Sequence, residues 1–513
     1  MNNRKLKKIL KQNAINTPHE RSSRRSALNI PRRALLRTAQ IAACLLLVCA
    51  MGVGYVAMVR FVGRPGENID GTGGPAFQIG ATTPSDTTAD AQSTIESDDT
   101  TPNTNTDTFK GKKLYLVSPM ASGVTGDLWE FSSPDTMTAN SVDAKNLQRF
   151  MKTEEVLGCN LVHAYFSDDT SYLSWVKTSA LTGGYDGAIV TGDASIVLSL
   201  AREGLCENLL ATENAAFSAS CWPEDMVNEL SVNGKLYFAS GVISPNTVTA
   251  VNVVFANNDI DALLGIDIHG TVMEGKWTLD KMYELAAQGG GNLNGVETDC
   301  GLVLTDESLR ALSTAVGVRI ADNSASAHAS LTDGTALEFT NTLADMIQGG
   351  TLRLSTKASS EHIATLFHID TVASAATYDE QMYQILPMPA LTEGGKHISP
   401  VGDGAMYYTI RTGSDTAFAS MVLYCLATYA DEMNANEYIF HRYAQNTESV
   451  QNLEIALDNM SFTLDSFLTA SVTNTTIKNA VNAATSEARE AILTQEYLGQ
   501  IITAQLGKLA KGN

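Results

Sequence analysis

The sequence has few cysteines, prolines and aromatic residues for its length, with 7 Cys, 13 Pro and 7% aromatic residues among 513. Cys44 and Cys49 lie in one apolar run, and the other five cysteines have spacings that match no zinc or redox motif. Cys206 and Cys221 either close a small loop or stay reduced, because a chain of this size can build a core without disulfides.

Signatures of catalysis and metal binding are also missing. The chain contains no His-Glu-x-x-His, no Gly-x-Ser-x-Gly and no phosphate-binding loop. Asn257, Asp259 and Asp261 have the spacing that opens a calcium loop, but Ala262 and Ile268 stand where that loop needs glycine and the final carboxylate. We therefore predict a chain that is not an enzyme, with no cofactor and no metal site.

Basic residues are scarce after residue 64. Residues 1–64 hold 13 of the 35 Lys and Arg and one of the 56 acidic residues. The rest of the chain therefore has 22 basic and 55 acidic residues, a net charge of −33. Because nucleic-acid phosphates are held mainly by Lys and Arg, we expect no nucleic-acid partner.

Only one apolar run, from Ile41 to Val59, is long enough to cross a membrane. About 20 apolar residues span a bilayer as a helix, and basic flanks stay on the cytoplasmic side. We predict a basic cytoplasmic tail (1–40), a transmembrane helix (41–59) and an extracellular remainder. A cleaved signal peptide fits less well, because no small-x-small site closes the run. A lipoprotein signal fits less well too, because most of the run follows Cys44 instead of preceding it.

The segment after the apolar run is polar, and the remainder has the pattern of an α/β protein. Thr, Asp, Ser, Gly and Asn dominate residues 65–107, which bury too little apolar surface to fold, so we predict a disordered stalk over 60–107. Beyond it, strands are predicted at 113–117, 160–166 and 187–191, alternating with helical patterns. This alternation predicts largely parallel sheets covered by helices, and the length predicts two lobes.

Several short passages share their order and spacing with a known family. Residues 185–190 (Tyr-Asp-Gly-Ala-Ile-Val) resemble its passage in which Pro-Asp opens a buried strand. Residues 233–237 (Asn-Gly-Lys-Leu-Tyr) resemble its Gly-Lys-apolar-Tyr strand near the first hinge, and residues 256–259 (Ala-Asn-Asn-Asp) stand where it has Tyr-Asn-Lys-Asp. Further matching passages follow in the same order at 264–267, 277–282, 386–389 and 402–404. The family is that of the extracellular solute-binding proteins of ABC importers, in the group that includes maltose- and oligosaccharide-binding proteins.

The resemblance covers about residues 110–513 and implies a fold and a function. The implied fold is a two-lobe, periplasmic-binding-protein-like α/β fold with a hinge, here preceded by the transmembrane helix. Lobe 1 is expected at about 108–240 and 402–450, and lobe 2 at about 241–401 and 451–513. The implied function is capture of a small solute, with sugars and oligosaccharides as candidates, for an ABC permease.

The sequence also departs from the family and leaves a second function open. The family's Gly-x-Ala-Met passage and the tryptophan that follows it are missing after Phe367, which weakens the case for a sugar. A two-lobe surface sensor or protein-interaction module without a transport role is the alternative.

The candidate ligand contacts follow from the expected sheet. Ligands of open parallel sheets lie outside the carboxyl ends of the strands. A carboxylate there accepts hydrogen bonds from hydroxyls or an amine, although Asp193 could equally cap the helix that begins near Ala194. The predicted contacts are residues after the first strand, after the third strand, past the hinge strand and on the cleft: Ser118, Ser122, Thr191, Asp193, Asn246 and Trp222.

Overall fold

The computed structural model describes most of the chain beyond the predicted stalk, within the unit Thr94–Asn513. The described residues are 106–119, 130, 141–166, 168–182, 187–293, 296–298, 300–318, 334–356, 365–378, 382–432, 442–444, 446–464, 470–494, 500, 504 and 507. The predicted tail, the predicted transmembrane helix and nearly all of the predicted stalk lie outside them. Among the described residues, no helix has both the length and the hydrophobicity that a membrane crossing needs.

Thirteen strands are described, most of them short and buried. In chain order they are β1 (Lys113–Pro119), β2 (Asn160–Phe166), β3 (Ala188–Gly192), β4 (Asn252–Asn257), β5 (Gly291–Leu293), β6 (Val296–Thr298), β7 (Cys300–Leu304), β8 (Leu352–Leu354), β9 (Thr365–Thr371), β10 (Tyr383–Leu386), β11 (Ser399–Pro400), β12 (Tyr407–Ile410) and β13 (Met460–Ser461). The three strands predicted from apolar runs at 113–117, 160–166 and 187–191 are β1, β2 and β3.

Fourteen α-helices are described between and after these strands. They are α1 (Ser141–Leu157), α2 (Asp169–Thr182), α3 (Ala194–Arg202), α4 (Met226–Leu230), α5 (Pro245–Thr249), α6 (Asn258–Leu264), α7 (Ile268–Met273), α8 (Leu279–Gln288), α9 (Asp306–Ala315), α10 (Thr335–Gln348), α11 (Thr416–Glu432), α12 (Thr447–Asp458), α13 (Ala470–Val481) and α14 (Ser486–Leu493). Short 3-10 helices cover Thr106–Phe109, Leu209–Ala211 and Val372–Thr377.

The first sheet has four strands in the order β12-β3-β1-β2. β1 is parallel to both β2 and β3, whereas β12 returns from late in the chain and runs antiparallel to β3. The strands are short and almost continuously apolar, as in Ala188–Gly192, where every residue is buried. Such runs are typical of sheets covered on both faces by helices.

The second sheet has five strands in the order β10-β4-β9-β7-β8. β7 is parallel to β8 and β9, and β4 pairs antiparallel with both β9 and β10. Each sheet is therefore largely parallel, as predicted, with one strand running in the opposite direction: β12 in the first sheet and β4 in the second. Each sheet with its helices forms one α/β lobe.

Two described passages connect the sheets: the first, residues 239–251, enters β4, and the second, residues 401–406, leaves β11 and enters β12. They run side by side, with bridges between Ala239 and Tyr408 and between Val251 and Val401. The amide of Gly402 donates to the carbonyl of Ala250 at 2.8 Å. Backbone pairing along their length makes the two passages a single connecting ribbon.

None of the five cysteines outside the apolar run forms a disulfide in the described part of the chain. Cys206 and Cys221 are both buried, and no disulfide closes the loop between them. The structure therefore favours the reduced form of the two possibilities that the spacing leaves open.

Gly301 lies where β7 packs against the end of α8. A Cβ atom at this position would overlap the carbonyl oxygen of Ala286. We expect Gly301→Ala to lower the free energy of unfolding by about 1–3 kcal/mol, because a fixed backbone atom cannot move aside. Thermal and urea unfolding measure the loss.

Gly290→Ala is the matched control for this substitution. Its added Cβ would have its nearest neighbours at 3.5 Å, an ordinary contact. The control should stay within about 0.5 kcal/mol of the unchanged chain. Equal stability of the two variants would contradict the close packing of β7 on α8.

Candidate functional site

The carboxyl ends of β1 and β3 meet at one edge of the first sheet, as predicted. Ser118 and Thr191 lie side by side there, and the hydroxyl of Thr191 donates to Oγ of Ser118 at 2.8 Å. Both side chains are buried, and the hydroxyl of Tyr172 donates to the carbonyl of Thr191. This pair therefore joins the two strands beneath the edge. Ser122, the fourth residue predicted here, lies outside the described residues.

Asp193 follows β3 and caps α3. Its Oδ1 accepts from the amide of Ile196 at 2.8 Å, and its backbone is extended, as an N-cap requires. The capping role that the sequence leaves open is thus present. The residue is also exposed at the carboxyl edge of the sheet, where a second carboxylate oxygen can accept from a ligand.

Asn246 belongs to a buried network centred on Glu130. Oε1 of Glu130 accepts from Nδ2 of Asn246 at 2.6 Å and from Oγ of Ser244 at 2.7 Å. Its Oε2 accepts from the hydroxyl of Tyr408 at 2.6 Å. Asn246 therefore donates to a side chain of the protein at the junction of the lobes, which is a different role from the predicted ligand contact.

Arg149 of α1 supplies positive charge to this network. Its Nη1 donates to the carbonyl of Ile243 at 2.7 Å, and its Nη2 lies 3.4 Å from the carbonyl oxygen of Glu130. The guanidinium is 1% exposed and the Glu130 side chain 3%. Isolated charges so deeply buried are very costly, and the attraction between the two charges offsets part of the cost of burying each.

The protonation of the network is governed by burial. Loss of water raises the pKa of Glu130, and the hydrogen bonds from Tyr408, Asn246 and Ser244 together with Arg149 only partly oppose it. Burial and the negative charge of Glu130 raise the pKa of Tyr408. Tyr408 therefore stays a neutral donor.

The other face of β12 carries a second polar group, because successive side chains of a strand point to opposite faces. Tyr407 pairs with Gly192 across the sheet, next to Asp193. Burial and then the charges of Asp403 and Asp193 raise the pKa of Tyr407, with Arg310 opposing them. Nη2 of Arg310, from α9 of the second lobe, donates to Asp403 at 3.0 Å. Polar groups of both lobes thus converge beside β12.

Further contacts join the lobes at α4. The carboxylate of Glu229 accepts from Oγ of Ser461 at 2.7 Å and from the amide of Phe462 at 2.6 Å. The ring of Phe462 also lies edge-on to Tyr407, with centroids 6.1 Å apart. These contacts hold the end of β13 against the first lobe.

Trp222 lines a pocket of about 430 Å³ at the same junction, apart from Ser118 and Thr191. Its indole NH donates to the carbonyl of Ala215 at 3.0 Å, and its ring centroid lies 5.0 Å from that of Phe217. The indole is 4% exposed. The pocket is walled by residues of both lobes and of the first passage: Phe217, Trp222, Val242, Leu457, Asp458 and Met460.

The predicted contacts therefore fall into three places. Ser118, Thr191 and Asp193 share one edge, Asn246 joins the Glu130 network, and Trp222 lines the pocket. Sequence reasoning missed Glu130, Arg149, Tyr408 and Arg310, since each is a single charged or aromatic residue outside any motif. Within the part of the chain that the structure describes, no group of three His, Cys, Asp or Glu side chains is arranged to hold a metal ion.

The buried charge of Glu130 gives a testable consequence for Arg149. Arg149→Met is expected to cost about 1–3 kcal/mol of stability, because it leaves the buried carbonyl of Ile243 without its donor and removes a charge that favours ionised Glu130. Urea unfolding gives the value. In the control Lys177→Met, an exposed pair with Glu203 at 2.8 Å is lost. That loss should cost about 1 kcal/mol or less, and similar costs for both variants would contradict the assigned role of Arg149.

Stability should also depend on pH through Glu130. Burial raises its pKa above the ordinary 4.5 in the folded protein, so the folded protein holds the proton more tightly than the unfolded chain. The resulting stabilisation is complete below that ordinary pKa and is lost as the pH rises through the raised pKa. We expect the stability of the unchanged chain to fall, relative to that of Glu130→Gln, from about pH 4.5 upward. Parallel pH profiles in urea unfolding would contradict this.

Comparison with known proteins supports the fold. No protein-family model matches the chain, and no curated protein matches it. Among solved structures, a cyclic alpha-maltosyl-1,6-maltose binding protein from Arthrobacter globiformis is similar at 13% identity and a TM-score of 0.52, over 77% of this chain and 99% of that one. The sugar-binding protein MalE from Xanthomonas citri is similar at 13% identity and a TM-score of 0.51, over 77% and 98%.

A third similar structure is a sugar transporter from Rhizobium etli in an open conformation, at 12% identity and a TM-score of 0.51, over 74% of this chain and 98% of that one. The chain thus has the mixed α/β, two-lobe fold of periplasmic solute-binding proteins, and the predicted resemblance to the maltose- and oligosaccharide-binding group is confirmed in the fold. The three similar proteins are named as binding or transport proteins.

Proposed function

We propose that this chain is an extracellular solute-binding protein that closes its two lobes on a small carbohydrate and presents it to an ABC importer. In this proposal the segment 41–59 anchors the protein to the membrane, with the basic tail in the cytoplasm. The observation that carries the proposal is the convergence of polar groups from both lobes beside β12. A solute that touches both groups favours closure, since it binds the closed form better.

The chemistry of the edge suits a hydroxyl-rich solute. Asp193 offers a carboxylate acceptor from the first lobe, and Arg310 offers guanidinium donors from the second. A sugar hydroxyl both donates and accepts, so neighbouring hydroxyls can satisfy both kinds of group. The three similar structures are named for sugars or a sugar transporter, which supports the same ligand class.

A solute panel tests the function directly. We expect neutral oligosaccharides to raise the melting temperature of the full chain, whereas amino acids and short peptides should not. At a sugar concentration of 100 times Kd, the free energy of unfolding should rise by about 2.7 kcal/mol. Isothermal titration then gives Kd for the best sugar. If no solute raises the melting temperature, the proposal fails and the surface-interaction module takes its place.

Asp193→Asn separates ligand contact from helix capping. Asparagine caps a helix as well as aspartate does, so the variant keeps α3 and loses only the negative charge. Loss of a charged hydrogen bond should weaken sugar binding about tenfold or more at nearly unchanged stability. Unchanged affinity in Asp193→Asn would limit Asp193 to the cap.

A further inference from the structure

We infer that Glu130 is a positioning residue that fixes the first-lobe ends of both passages, so that the lobes turn about residues 248–252 and 401–404. The inference rests on the proposed closure of the lobes and goes beyond it, because it says which residues move and which do not.

All three side-chain partners of Glu130 lie on the two passages or at their ends. Ser244 and Asn246 belong to the first passage, and Tyr408 stands in β12 directly after the second. One carboxylate therefore binds the first passage and the strand that follows the second. The guanidinium of Arg149 adds a bond from α1 to the carbonyl of Ile243, which ties the first passage to the body of the lobe.

A second set of side-chain bonds lies next to the carboxylate. Oγ1 of Thr247 donates to the carbonyl of Met406 at 2.9 Å and lies 3.0 Å from the Met406 amide, from which it accepts. Oγ of Ser240 donates to the same carbonyl at 2.7 Å. All three residues are buried. Together with Glu130 they form a continuous polar network that joins the passages up to Thr247.

Beyond Thr247 the connection changes in character. The passages are joined by the Gly402 amide and the Ala250 carbonyl, by a bridge between Val251 and Val401, and by one side-chain bond from Nδ2 of Asn252 to the carbonyl of Pro400 at 2.8 Å. Gly404 has a φ of 95°, in the left-handed region that glycine adopts without strain, and a Cβ there would meet no atom within 4 Å. Hinges are short segments that absorb large backbone changes, and Gly404 gives the second passage a position at which the backbone can do so.

The position of Glu130 in the chain connects this hinge to the ligand edge. The residue lies on the connection between β1 and α1, which leaves the carboxyl edge where Ser118 lies. A solute bound at that edge therefore acts on a lobe in which the Glu130 network fixes the passages, and the motion is confined to the stretch beyond Thr247, which that network does not reach.

The inference is tested on the full chain, in mild detergent because of the apolar run, without any solute. Spectroscopic labels on noncanonical residues replace Leu181 of α2 and Met273 of α7, which are 85% and 48% exposed and lie on different lobes. Pulsed dipolar spectroscopy then gives the distribution of distances between the lobes. In Glu130→Gln one of the two acceptor oxygens becomes an amide NH2 group, which cannot accept a hydrogen bond. We therefore expect a broader distribution of distances between the lobes, or a shifted mean distance.

Tyr408→Phe is the second variant, since it deletes one hydroxyl and leaves the fold intact. It should broaden or shift the distribution in the same direction, and the double variant should add little, because both changes disable one network. Thr191→Val is the matched control: it removes a buried 2.8 Å bond within the first lobe and should lower the melting temperature without altering the lobe distances.

Unchanged lobe distances in both Glu130→Gln and Tyr408→Phe, with only a lower melting temperature, would reduce Glu130 to a structural residue and overturn the inference. A change of equal size in Thr191→Val would overturn it as well, because any loss of stability would then loosen the lobes. Since no solute is present, a negative sugar panel leaves this result standing, and the two proposals fail separately.

Discussion

The architecture depends on one buried carboxylate at the junction of the lobes. Glu130 accepts three side-chain hydrogen bonds, and its donors come from segments more than 100 residues away in the chain. A carboxylate without water needs each of these partners at a defined distance and angle, whereas an apolar contact tolerates sliding. The network therefore specifies where two distant passages lie, which a purely hydrophobic junction would leave less defined.

Such a network is costly, and its use at this place has a physical reason. Removing two charges from water costs several kcal/mol per ion, and apolar replacements of the same volume are often as stable. We infer that the network serves geometry more than stability: Arg149 and Glu130 lie where a two-lobe protein must keep one end of its connection rigid while the other end bends. The raised pKa of Glu130 reflects the loss of hydration that this arrangement imposes on the carboxylate.

The sequence predicts the fold much better than the site. Strand β2 coincides with the predicted 160–166, because an apolar run between turn residues is a local signal. The Ser118 and Thr191 pair follows from the rule that parallel strands end at one edge. Glu130 carries no such signal: it is one acid in a polar stretch, and its partner Tyr408 stands 278 residues later. The position of Asn246 past the hinge strand marks it in the sequence, but its partner depends on contacts that only the folded chain creates.

Strand β12 contributes a tyrosine to each of the two polar groups, because its successive side chains point to opposite faces of the sheet. Tyr408 points to the Glu130 network and Tyr407 to the face with Asp193 and Arg310, since neighbouring side chains of a strand take opposite faces. The strand is held by β3 on one side and by Ala239 on the other. A shift of β12 by one residue would exchange the two tyrosines and disrupt both groups together. The register of this single strand therefore couples the fixed end of the hinge to the edge where a solute is expected.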